Sequence, residues 1–303
     1  QMLTYIVRLR LTTSTEPNPP FTTSVIVPLR APVAHQTDGT INLGLAGEVL
    51  ARRVEVLAEH STVPVTIDAV PETVAALVES GTVTTDELQQ AAAGHTVLAA
   101  PYVPLDLSSW QVPELQHELD EQFRIGSRVL ADQFGITPQS GVALIGPKVD
   151  PVALDDLRQR GAARVVIPET QMFPLDAAAF DYDLARTFEI EGPTGTFSPA
   201  AMADAKLAAH VTDTSDPILN AHRTIADLAV LYFDQPAYAR GSVLQIPDGA
   251  PPDYLDTLLT VLGTPVPADG TGLSMISPRS IDRLFEDVDR AGAVRLDRPA
   301  VLE

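Results

Sequence analysis

Short, continuously apolar runs, each followed by a stretch with helical spacing, repeat along most of the chain. No other feature of the sequence restricts the fold as much. The runs are SVIVPL (24–29), VPVTIDA (63–69), HTVLAAPYV (95–103), GVALIG (141–146) and ARVVIP (163–168). A strand without polar alternation is one buried on both faces. A strand joined to the next through a helix gives a parallel pair, because a parallel connection needs a crossover. The intervening helices are predicted over 44–60, 71–80, from about 85, and over 113–135. Leu45, Val49, Leu50, Val54 and Leu57 share one face of the first; Leu115, Leu119 and Phe123 share one face of the last. The next helix is the best marked, with Asp150 as cap, Pro151 in its first turn and Gly161 at its end.

The rhythm loosens over 169–212, where one strand is expected near 187–190. Asp216-Pro217 repeats the cap pair and opens a helix to about 233. Its second half, ADLAVLYF, is apolar on nearly all sides and is expected to be deeply packed. Strands at 242–246 and 273–276 and helices at 253–262 and 280–289 complete the series. The fold class expected is α/β: a (β/α) barrel of seven or eight mostly parallel strands, regular or distorted. An open, doubly wound sheet stays as the alternative, because strand order is not visible in sequence. Residues 3–12 alternate like an edge strand and are followed by a proline-rich connector. The expected division is therefore 1–21 as strand and linker, and 22–301 as barrel. The chain opens on Gln1, so it reads as a fragment or processed product, with Leu302-Glu303 as an added tail.

Charge and composition remove several functions. Twenty Lys+Arg against 40 Asp+Glu leave a formal net charge of −20, the wrong sign for nucleic acid or an anionic membrane surface. With no cysteine there are no disulfides, thiolate metal sites or cysteine nucleophiles. No run approaches the roughly 18 apolar residues of a membrane span. GxSxG, GxGxxG, P-loop and HExxH motifs are missing. No two of the six histidines lie within one helical turn of each other. A metal site would need ligands such as His35 and His95 gathered from separate strands, so no metal or other cofactor is expected. His117 and His222 fall inside predicted helices and read as surface or packing residues.

A parallel barrel keeps its chemistry at the C-terminal strand ends. Asp68 ends the second strand and Glu169 the fifth, and these two are the candidate acid and base. Tyr102 lies at the end of the third strand with Asp106 a few residues on, and Asp248 follows the penultimate strand; these three are candidate ligand-binding residues. Carboxylates accept hydrogen bonds from sugar hydroxyls, and an aromatic ring packs on sugar C–H edges. Such a rim suits glycoside cleavage, the binding of a cation, or a polar pocket for a sugar-like ligand. The structural reading of the same residues is that Asp68 caps the Pro71 helix, Tyr102 packs inward and Glu169 faces solvent.

Several segments together carry a resemblance. VIVPLRAP with DGTINL, VPVTIDAVPETVAAL, VLAAPYVPLD, and DPILNAHRTIADLAVLYFDQP followed by RGSVLQIPDGAPPDYLDTLL occur in this order. The set resembles an uncharacterised family of actinobacterial cell-envelope proteins. Members are typically secreted, anchored by one C-terminal transmembrane helix, and often encoded beside the lipid II flippase. Their central part is similar to the barrels of glycoside hydrolases and polysaccharide deacetylases, and a β-sandwich usually precedes it. The resemblance implies an extracytoplasmic, cell-envelope location and a membrane-anchored parent protein. It implies as partner a cell-wall glycan or an envelope-assembly protein. The deacetylases hold a metal through an Asp followed by two histidines; here the first strand ends VPLRAP, with Arg30 in place of an acid pair. Two functions follow: a degenerate, binding-only barrel, or an active glycoside hydrolase using rim carboxylates.

Overall fold

The computed structural model describes residues 18–110, 112–146, 151–169, 185–191, 195–212, 215–264, 274–288 and 290–294. The strand expected at 3–12 and the Asp150 cap lie outside these residues. The strands are β1 (Phe21–Leu29), β2 (Thr66–Ala69), β3 (Thr96–Val97), β4 (Val142–Leu144), β5 (Arg164–Pro168), β6 (Thr187–Glu191), β7 (Phe197–Ala203), β8 (Gly241–Gln245), β9 (Ile276–Pro278) and β10 (Arg290–Val294). The α-helices are α1 (Ala46–Glu59), α2 (Pro71–Glu79), α3 (Thr85–Ala92), α4 (Gln116–Phe134), α5 (Pro151–Gln159), α6 (Ala205–Thr212), α7 (Pro217–Asp234), α8 (Pro252–Leu262) and α9 (Ile281–Asp287).

The expected parallel neighbours are found. β1 pairs with β2 and β2 with β3; β4 pairs with β5, and β5 with β7. β7 meets β8 through one residue pair, Ala203 with Val243, and β8 lies beside β1 over five pairs. A parallel bridge between Leu98 and Gln139 joins the end of β3 to the approach of β4. Seven parallel strands thus form a ring, distorted where β3 and β4 barely meet and where β7 touches β8. β6 pairs antiparallel with β7 and carries β10 as an outer extension, and short β9 lies against the start of β1.

Side-chain parity sorts the ring into two layers, as the period of two in a strand requires. Val25, Val27 and Leu29 of β1 face outward into the core built with α1, α2, α3, α7 and α8, together with Ile67 of β2 and Leu244 of β8. Ile26 faces inward and meets Leu98, Val142, Val166, Ala201, Ala203 and Val243 inside the barrel. On the outer side of β5 and β7 a separate cluster joins Val165, Ile167, Phe188, Ala200 and Met202. α9 closes the N-terminal end: Ile281, Leu284 and Phe285 join the interior cluster, and the Ile281 amide donates to Thr66 Oγ1 at 2.9 Å. The opposite, C-terminal end is left for chemistry.

Three expectations needed revision. β1 opens at Phe21, inside the stretch assigned to the linker, because the Phe21 amide donates to the Met275 carbonyl (2.8 Å) and the Thr22 amide to the Arg240 carbonyl (2.9 Å). The third strand is far shorter than 95–103. Its chain turns out of the ladder before Pro101, which has no amide to donate. The ADLAVLYF half of α7 is packed on one face only: Leu228 and Tyr232 are buried, whereas Val230 is half exposed. Among the described residues no helix is long and apolar enough to cross a membrane.

Candidate functional site

The parity of β1 continues past its last residue. Ile26 points inward, so Arg30, four residues on, also points toward the axis as the chain leaves the barrel. Thr66 is inward on β2, and Asp68 follows it at the mouth; in register it stands beside Pro28. Arg30 Nη2 and Asp68 Oδ2 form an ion pair. On its other side, Arg30 Nε lies 3.2 Å from Asp248 Oδ1, which follows β8. That contact is off the N–H axis, for Nε has no hydrogen-bond acceptor. Asp68 is the inner partner, 17% exposed, and Asp248 the outer one, 62% exposed. One guanidinium therefore sits between two rim carboxylates.

Beside it opens a pocket of about 310 Å³ lined by Arg30, Glu169, Asp204, Gln245 and Asp248, among others. Glu169 follows β5 directly, and its Oε2 accepts the Ala205 amide at 3.1 Å. Asp204 follows β7 and accepts the Lys206 and Leu207 amides at 2.9 and 3.0 Å. Both carboxylates satisfy the free amides at the start of α6 and face the positive end of its dipole. Gln245, inward like Val243, brings a neutral amide to the same wall.

Arg53 fixes this rim from beneath. It is 1% exposed and sits in α1. Its guanidinium donates to the carbonyls of Pro28 (3.0 Å), Pro247 (3.3 Å), Asp248 (2.5 Å) and Ala250 (2.8 Å). Burial pulls its pKa down from the usual arginine value, and nearby Asp248 opposes that shift. The β1 end and the β8–α8 turn are thus tied to one buried side chain, which sets where Arg30 and Asp248 meet.

Of the residues singled out from sequence, Asp68, Glu169 and Asp248 come to the same mouth around Arg30. Tyr102 is not among the residues lining the pocket. Its backbone is held between two helices: its amide donates to Gln122 of α4, and its carbonyl accepts from Glu72 of α2, both at 3.0 Å. Burial, then the charges of Glu72 and Glu79, push its phenol pKa up. Asp106 is exposed and accepts from Ser109 Oγ at 2.9 Å, capping a short 3₁₀ turn. Asp68 does not cap α2, whose N-cap is Val70. Arg30, Asp204 and Gln245 went unrecognised as site residues. Their signal was positional: each lies at the end of a barrel strand, but Asp204 and Arg30 lack any motif around them.

A metal of the deacetylase type does not fit these residues. The position between the two strand-end acids is filled by the Arg30 guanidinium. Among the described residues no three His, Asp or Glu side chains are grouped to hold an ion. His35 lies elsewhere, held by Glu72 and Glu79; His95 hydrogen-bonds the Leu57 carbonyl. His117 and His222 are on exposed helix surface, in α4 and α7.

No protein-family model and no curated protein sequence matches the chain. Solved structures do. The 4-alpha-glucanotransferase of Thermococcus litoralis superposes with a TM-score of 0.68 at 15% identity, over 91% of this chain and 42% of that one. The chain therefore spans well under half of that enzyme. A GH57-type branching enzyme from Pyrococcus horikoshii gives 0.62 at 9% identity, over 91% and 72%. A protein of Mycobacterium smegmatis assigned as a polysaccharide deacetylase gives 0.61 at 12% identity, over 98% and 100%. At these identities the likeness is one of fold: the chain is an α/β barrel of the architecture found in glycoside hydrolases and polysaccharide deacetylases.

Proposed function

We propose that this barrel is a binding-only glycan module of the bacterial cell envelope, extracytoplasmic and part of a membrane-anchored protein. Its ligand is a cell-wall glycan, met alone or beside an envelope-assembly partner. One observation carries the reading: every carboxylate singled out at the mouth is already committed. Asp68 and Asp248 flank Arg30, while Glu169 and Asp204 hold the amides of α6. Glycoside hydrolysis needs one carboxyl that gives up a proton and a second that attacks or activates water. Acids already paired with a guanidinium or with helix amides are held in place, which suits accepting hydrogen bonds from hydroxyls. The barrel architecture shared with carbohydrate-active enzymes and the resemblance to envelope proteins support the same conclusion; the net charge of −20 disfavours nucleic acid. Among the described residues the hydrolase alternative has no acid pair at the mouth without a partner.

The test is calorimetric titration with peptidoglycan and arabinogalactan fragments, run beside an assay for released reducing ends. Binding without turnover is expected, weakened in Asp68→Asn and in Arg30→Ala. Sugar release by the intact protein that disappears in Glu169→Gln would make it a hydrolase. No binding to any fragment would remove the glycan reading.

A further inference from the structure

A second cavity, of about 560 Å³, lies on the other side of the Arg30–Asp248 pair. Those two residues line both cavities, so the polar pocket and this groove meet at one ion pair. The two differ in the side chains that line them. Apart from Arg30 and Asp248, every described residue lining the groove is apolar or glycine, with Leu45, Val49, Pro104, Pro251 and Pro252 among them. Leu45 is 88% exposed, more than any other large apolar side chain among the described residues. Each volume falls in the range of small-molecule sites.

We propose that the site takes one amphipathic ligand, a glycan whose reducing end carries an apolar aglycone, with the sugar in the polar pocket and the aglycone in the groove. The proposal rests on the glycan reading above and names the ligand class. Contiguity carries it: a molecule that reaches past Arg30 from the polar pocket enters a trough where no further described side chain offers a hydrogen bond. An extra sugar ring there would lose its water without replacement, whereas an alkyl or prenyl chain would gain from burial. Charge narrows the head group. Among the described residues lining the polar pocket, Arg30 is the one cation against Glu169, Asp204 and Asp248, and Asp68 stands behind it. The surplus of negative charge favours a neutral or amino sugar and disfavours a phosphorylated one.

Calorimetry below the micellar range tests this with matched probes: the methyl and octyl β-glycosides of glucose and of N-acetylglucosamine, and glucose 1-phosphate. For at least one sugar, the octyl glycoside is expected to bind at least tenfold tighter than the methyl one. Burial of about two methylenes is enough for that ratio. Leu45→Asp and Val49→Asp should bring the ratio toward one. Leu45 is the N-cap of α1, where aspartate suits the helix, so its loss of ratio would not come from unfolding. Equal affinities of methyl and octyl glycosides would overturn this proposal and leave the glycan reading standing. Binding of 1-octanol as tight as that of the octyl glycosides, with no competition from the methyl ones, would overturn both. Glucose 1-phosphate binding as tightly as methyl glucoside would overturn the assignment of a neutral or amino sugar head.

Discussion

Arg53 holds four main-chain carbonyls from inside the protein, so its charge and its shape both matter. Arg53→Met keeps the bulk and removes every donor. Buried acceptors left without partners cost roughly 1–3 kcal/mol each, so a loss of about 3 kcal/mol or more is expected in urea unfolding. A loss under about 1 kcal/mol would mean that water replaces the guanidinium. Two histidines are expected to respond to pH in opposite senses. His35 Nδ1 lies 2.8 Å from buried Glu72, and Nε2 lies 3.2 Å from Glu79. These bonds, Glu72 first, raise its pKa above 6.5. Its stabilising contribution is therefore full below the unfolded value and is lost as pH rises through the higher, folded one. His95 is the reverse. Burial lowers its pKa despite the Leu57 carbonyl. Its contribution is full above the unfolded value and is lost as pH falls through 6.5 toward the folded value. Unfolding free energies from pH 5.5 to 8.5 check both. The gap between wild type and His35→Asn should shrink with rising pH, and the gap for His95→Asn should grow. Parallel trends would contradict the assignment.

At the scale of elements, α4 shows how close packing replaces pairing. β3 is only two residues long, and the chain beyond it is held by helices rather than by a ladder. Gly126 of α4 lies against this segment. A Cβ built there would stand 2.1 Å from the Ala100 carbonyl oxygen and 2.9 Å from the Tyr102 nitrogen. These are backbone atoms and cannot turn aside. Alanine is the better helix former by about 1 kcal/mol, yet overpacking of this kind costs more. Gly126→Ala should lower stability by about 2–3 kcal/mol in chemical denaturation. A stabilised variant would show that α4 shifts freely along the barrel. The N-terminus of α6 illustrates a different rule. Its amides are capped by Asp204, next to it in sequence, and by Glu169, far from it, so the cap that shapes the pocket is half local and half tertiary.

At the scale of the whole molecule, the ring is unevenly closed. β1 is the centre of the sheet, sharing long registers with β2 and β8. The β3–β4 contact is a single bridge, with two hydrogen bonds of 2.8 Å from the Ala99 and Gln139 amides. Local opening follows pairing and burial. In hydrogen exchange, the Ala99 and Gln139 amides should exchange well before those of Val25 and Val27. Equal protection would show that the ring opens only as one cooperative unit. The site spans this asymmetry: Arg30, Asp68 and Asp248 stand on the firm side, at the ends of β1, β2 and β8, whereas Glu169 and Asp204 follow β5 and β7.

The sequence by itself determined the α/β class and the parallel direction of β1 to β5, while the choice between a barrel and an open sheet was left to the tertiary structure. Those strands are apolar on both faces and separated by helices, and both properties are local. It also determined the Asp216 cap of α7, whose carboxylate accepts the Leu219 amide at 3.0 Å. β7 was invisible, since FSPAAMA has a proline and three alanines and little strand propensity. Its strand state comes from β5, β6 and β8 around it. Asp68 and Glu169 could be placed at the mouth because every parallel strand ends at the same face. Their roles could not be read: that of Asp68 depends on Arg30, 38 positions away, and that of Glu169 on the Ala205 amide, 36 positions away. Only the closed ring brings that guanidinium between Asp68 and Asp248, and only the packing of α6 turns Glu169 into a cap. Local pattern sets where a residue emerges; which charges meet there is decided by long-range register.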